Sequence, residues 1–187
     1  MRVCEGQQLD MNYEKRNDIS IDDYLYMTEL KTAVLLAASL QIGGITAGAG
    51  DNDSALLYEF GKNIGIAFQL RDDMLDVFGP KEKTGKRPGG DILSNKKTFL
   101  LLKALELADT NVHEQLTGYI NSIEFIPEEK IATVTGIYRE LNIKDIVTEQ
   151  IEFFYQQGLK YLWKVNAPET NLNVLRDFTD KLMVREF

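Results

Sequence analysis

Cysteine and histidine each occur once in the 187 residues, and proline only four times. The single cysteine, Cys4, excludes an internal disulfide and fits a reducing, cytoplasmic compartment. So few prolines leave room for long helices. Positive charge is also scarce: 21 Lys and Arg against 29 Asp and Glu give a net charge of -8. That balance argues against a nucleic-acid partner, which favours a basic face. Residues 1–20 are polar with both signs of charge, so no secretory signal is visible. The most apolar run, 33–50, is interrupted by Ser39, Gln41 and several glycines. It reads as a buried core helix, and no stable membrane span is expected. No alternating strand pattern, internal repeat, low-complexity tract or long linker is present. What remains is 44% hydrophobic and 27% charged, the composition of one globular, all-α domain.

Taken in order, residues 1–16 look like a helix already under way, with Val3, Leu9 and Tyr13 as a weak apolar stripe and no cap before them. Ser20 or Asp22 can cap a second helix, followed by acids in its first turn, running from about Tyr24 to Ala47. On it Thr28, Lys31, Thr32, Leu35 and Ser39 fall on one face. Lys31 sits beside an apolar run, so either its stem snorkels to the surface or its ammonium binds an anionic ligand. Asp51 or Asp53 is the expected cap of a third helix, from Ser54 to Phe78. Further helices are expected at about 94–107, 112–125, 127–141, 143–165 and 171–184. Asn171 is a candidate cap, and Pro127 suits a first turn. His113 follows Thr110 and Asn111 at a helix start and reads as part of a capping region, not as a catalytic group. Trp163, Phe153, Phe154, Tyr155 and Tyr161 are expected in the core.

The stretch from Phe68 to Thr98 carries the chemistry. Gln69, Asp72, Asp73 and Asp76 are spaced i, i+3, i+4 and i+7 among apolar residues, and are expected to share one face. Acids so close repel unless a cation neutralises them. Gly79-Pro80 ends the helix, and residues 79–97 then hold six basic residues against two acids. Carboxylates suit Mg²⁺, which takes one or two of them plus substrate phosphate. Lysines suit phosphate oxygens. Together they suggest a site for a metal-complexed phosphate ester.

These motifs resemble those of the trans-type polyprenyl synthases. Asp72-Asp73-Met74-Leu75-Asp76, preceded by Phe68-Gln69, is similar to the second aspartate-rich motif of that family. Thr84-Gly85-Lys86, Gly90-Asp91-Ile92 and Lys96-Lys97-Thr98 are similar to the segment after it. Lys31-Thr32, and Gly6-Gln7 with Asp10, resemble motifs on the two preceding helices, and Arg185 fits the C-terminal end loosely. The resemblance implies an isoprenoid-synthase-type helical bundle. It implies condensation of an allylic diphosphate with isopentenyl diphosphate, Mg²⁺ held by Asp72, Asp73 and Asp76, and diphosphate contacts from Lys31, Lys86 and Lys96 or Lys97. Thr32 and Gln69 would lie along the reacting chain, and the family is typically homodimeric.

The chain departs from the family in having no first aspartate-rich motif and no upstream Arg and Lys residues for isopentenyl diphosphate. Asp22-Asp23 is no substitute, because Tyr26 stands where a third aspartate is needed. Residues 1–187 are therefore expected to be the C-terminal portion of a single synthase domain, inactive alone. A non-catalytic partner subunit and a related class I terpene synthase remain as alternatives.

Overall fold

The computed structural model describes residues 1–79, 89–122 and 124–184. Its elements are α1 (Arg2–Tyr13), α2 (Ile21–Thr28), a π-helical turn (Glu29–Ala33), α3 (Val34–Thr46), α4 (Asp51–Phe78), α5 (Gly90–Leu93), α6 (Phe99–Leu107), α7 (Thr110–Asn121), α8 (Pro127–Glu140), α9 (Ile143–Leu162) and α10 (Glu169–Val184). No strand occurs among the described residues, so the all-α expectation holds. Nor, among them, is any helix long and apolar enough to cross a membrane.

Ser20 caps α2 through a reciprocal capping box with Asp23: each side chain accepts from the other residue's backbone N–H. This satisfies two of the N–H groups that a helix start leaves open. The expected aspartate cap of α4 is not realised. Gly50 occupies the cap position without a side-chain bond, and Asp53 instead accepts from the Asn166 N–H at 3.1 Å, tying α4 to the α9–α10 connection. The helix expected from Ser94 begins later, with Thr98 as its cap, because Asn95 is in the left-handed region at φ 55°. Asp109, rather than Thr110 or Asn111, caps α7. Asn171 lies inside the first turn of α10.

The long helix α4 is the axis of the bundle, packed most extensively against α9 and α3. Its Leu57, Phe60, Ile64, Ile66, Ala67 and Leu70 are buried. On α9 the buried stripe is Ile143, Val147, Ile151, Gly158 and Leu162. Phe153 and Trp163 lie off that stripe and are 52% and 44% exposed, which corrects the expectation that they pack in the core. Phe154, Tyr155 and Tyr161 are partly buried, and the Tyr155 hydroxyl donates to Asp180.

Candidate functional site

Lys31 and Thr32 sit in the π-helical turn. Such turns hold one residue more than an α-turn and rotate the side chains around them. Helix α1 approaches this turn without intervening side chain. A Cβ on Gly6 would stand 2.3 Å from the Lys31 nitrogen, nearer than real side chains come. The approach lets Asp10, one turn further along α1, accept from Lys31 Nζ at 2.5 Å. The sequence readings for Lys31 were a snorkelling stem or a bound ligand; the structure instead pairs its ammonium with Asp10.

Helix α4 reaches the same place by the same device. Gly65 and Gly61 abut Ala33 and Ala37, and a Cβ on Gly65 would be 2.5 Å from the Ala33 Cα. Gln69 and Asp73 continue the four-residue spacing, the ridge along which helices interlock. Thr32 Oγ1 donates to Gln69 Oε1 at 2.9 Å, and Gln69 Nε2 donates to Asp73 Oδ1 at 3.0 Å. Asp73 is buried and also accepts from Tyr24 Oη at 2.7 Å and Lys96 Nζ at 3.1 Å. Burial pushes the Asp73 carboxyl up, against the pull of Lys96 and of the bonds from Tyr24 and Gln69. The buried Tyr24 phenol is likewise pushed well above its ordinary value, first by burial and then by the Asp73 charge.

Lys96 arrives from the α5–α6 connection. The left-handed Asn95 before it is held from both ends of its side chain: Lys130 Nζ donates to its Oδ1 at 2.6 Å, and its Nδ2 donates to the Ile120 carbonyl at 3.0 Å. Lys130 is itself buried and lies over the Phe125 ring. This turn sends consecutive lysines apart. Lys96 goes to Asp73 and to Asp91, the latter at 3.2 Å, whereas Lys97 goes to Asn17. Burial opposes the Lys96 charge, yet the two carboxylates hold it well above its ordinary value. Asp91 is pushed up to about 6, by burial first and then by the charges of Asp73 and Asp76, with Lys96 opposing.

Lys31, Thr32, Gln69, Asp73 and Lys96 thus line one small cavity of about 10 Å³, together with Asp10 and Tyr24. The aspartates, expected on one face, diverge. Asp73 turns into the core, Asp72 is exposed and Asp76 is partly buried. Neighbouring helical residues project about 100° apart, which is why Asp72 and Asp73 cannot both follow the Gly65–Gln69 ridge. Asp76 Oδ2 accepts from the Asp91 N–H at 3.0 Å, and its carbonyl accepts from Gly89 N at 2.8 Å. Among the described residues no three acidic, His or Cys side chains converge as a metal cage. Asp72 and Asp76, four apart on one side of α4, are still a donor set that Mg²⁺ accepts, because it keeps waters and takes phosphate oxygens. Lys86, with Thr84 and Gly85, lies outside the described residues, as does Arg185. Tyr24, Asn95 and Lys130 were not anticipated. Each acts through a long-range partner, for which single-sequence spacing carries no signal.

The sequence pattern of the polyprenyl synthetase family matches residues 1–139. The geranylgeranyl diphosphate synthase of Sulfolobus acidocaldarius is 34% identical over 181 residues, 95% of this chain and 54% of that protein. A short chain isoprenyl diphosphate synthase of Methanothermobacter thermautotrophicus is 41% identical over 122 residues, 65% of this chain and 38% of its own length. The chain therefore spans roughly a third to a half of these relatives. Among solved structures, a geranylgeranyl pyrophosphate synthase superposes with a TM-score of 0.90 at 38% identity, covering 100% of this chain and 58% of that one. Another, from Corynebacterium glutamicum and complexed with isoprenyl diphosphate and magnesium, gives 0.88 at 31% identity, covering 98% and 52%.

Proposed function

Because the chain belongs to the polyprenyl synthetase family, we propose that it forms one wall of a prenyltransferase site, which joins an allylic diphosphate to isopentenyl diphosphate. The observation that carries this reading is the convergence of Lys31, Thr32, Gln69 and Lys96 on one cavity, which Asp73 of α4 also lines. Asp72 and Asp76 would hold Mg²⁺, and Lys31, Lys96 and Lys86 would contact the diphosphate oxygens. The bound metal supplies charge neutralisation of the departing diphosphate. The protein's own groups do the rest. Lysine ammonium groups fix the diphosphate as point charges. The Thr32 hydroxyl and the Gln69 carbonyl turn dipoles towards carbon that becomes positive. Asp73 acts through Lys96, holding its ammonium in place, rather than as a ligand. The working form in this reading is a cytoplasmic homodimer, as the resemblance of the motifs to the family implies.

Isothermal titration of the chain with inorganic pyrophosphate, with and without Mg²⁺, tests this reading. Binding is expected only with Mg²⁺, and Asp72→Ala should weaken it about tenfold or more, equivalent to ~1.4 kcal/mol. Binding that is indifferent to Mg²⁺, or unchanged in Asp72→Ala, would remove α4 from the site.

A further inference from the structure

The lysine beside Lys96 faces a different space. A cavity of about 500 Å³ opens between the α1–α2 connection, α6 and α7. It shares no lining residue with the cavity of Lys31 and Lys96. Lys97 lies in its wall and is only 6% exposed. Its ammonium meets Asn17 Oδ1 at 3.5 Å, at the outer limit of a hydrogen bond, and makes no ion pair among the described residues. Burial pulls its pKa down. A buried ammonium is costly unless an anion accompanies it.

Four carboxylates on or beside these elements have partners of their own. Glu106 pairs with Lys103, Asp18 with Arg16, Asp23 with the α2 cap and Asp109 with the start of α7. His113 and Asn121 add further polar groups to the cavity wall, while Ile19, Leu102, Leu105 and Ile120 make another part of it apolar. The volume lies within the range of small-molecule sites.

We infer that this cavity is a second binding site, for a small organic anion: a carboxylate or phosphate monoester with a short hydrocarbon tail. The anionic head would neutralise Lys97 within reach of Asn17 and His113, and the tail would cover the apolar wall. The site is independent of the diphosphate reading above, since neither its residues nor its argument draw on it.

His113 is the only histidine, so its imidazole Hε1 gives one NMR signal that needs no sequential assignment. Titration of the chain with pentyl phosphate, hexanoate, inorganic phosphate and hexanol would follow that signal. Both tailed anions should shift it saturably, inorganic phosphate more weakly and hexanol not at all. The response should vanish in Lys97→Met and in Thr117→Trp, which fills the cavity from α7, and persist in Lys144→Met, an exposed lysine on α9. If only one of the tailed anions binds, the head group is thereby chosen. Without ligand, Lys97→Met should melt no lower than the parent, because an apolar side chain there carries no desolvation cost. A signal that stays still up to about 10 mM of both tailed anions, ten times a millimolar Kd, would overturn the inference. So would an equal shift in Lys97→Met.

Discussion

At the residue scale, adjacent aspartates on α4 have opposite duties. Asp73 is buried under three hydrogen bonds, from Tyr24, Gln69 and Lys96, whereas Asp72 is exposed. Removing one partner of such a buried network leaves the others uncompensated, at a cost of roughly 3–5 kcal/mol. Asp73→Ala is therefore expected to lose about that much stability in urea denaturation, while Asp72→Ala stays within about 0.5 kcal/mol of the parent. Equal losses would show that the two side chains are not divided in this way. That carboxylates and lysines gather in these segments was legible in the residues themselves, but their pairing with one another, Lys31 with Asp10 and Lys96 with Asp73 and Asp91, was not. Which of two neighbouring aspartates turns inward was not legible. That depends on which side of α4 the α2–α3 helix covers, a long-range fact that a helical period leaves free. The same holds for Lys96 and Lys97, which the left-handed Asn95 separates.

At the scale of elements, the site depends on helices brought closer than side chains ordinarily allow. Gly65 against Ala33 sets the separation of α4 from the helix carrying Lys31 and Thr32. In a helix interior Ala is favoured over Gly by about 1 kcal/mol, so Gly65→Ala should stabilise α4 in isolation. In the folded chain overpacking is expected to win, with a net loss of about 1–3 kcal/mol. A thermal melt of Gly65→Ala that rises would remove this contact from the account. Helix positions were legible to within a few residues because amphipathic spacing and cap chemistry are local: Ser20, Pro127 and the α4 apolar run all act where they stand. The π-helical turn was not. Nothing in Glu-Leu-Lys-Thr-Ala distinguishes it from an α-turn until α1 and α4 press on both sides.

For the whole molecule, the described helices and the cluster they position belong to one part of a larger family pattern. The chain spans about half the length of the relatives it matches, and on the reading proposed above it binds a diphosphate without extending it. Incubating the purified chain with Mg²⁺, an allylic diphosphate and radiolabelled isopentenyl diphosphate should give no labelled longer product. Appearance of one would show that these residues suffice. Another property follows from the way the chain leaves α4 and returns to it. Gly89 and Asp91 both bond to Asp76, so the excursion from residue 79 to residue 89 begins and ends at the same turn. Once two ends are pinned together, doubling a flexible connection between them costs only about 0.6 kcal/mol of closure entropy. Changing the number of residues between 79 and 89 should then leave α4, α5 and α6 in register, and such variants are expected to melt close to the parent.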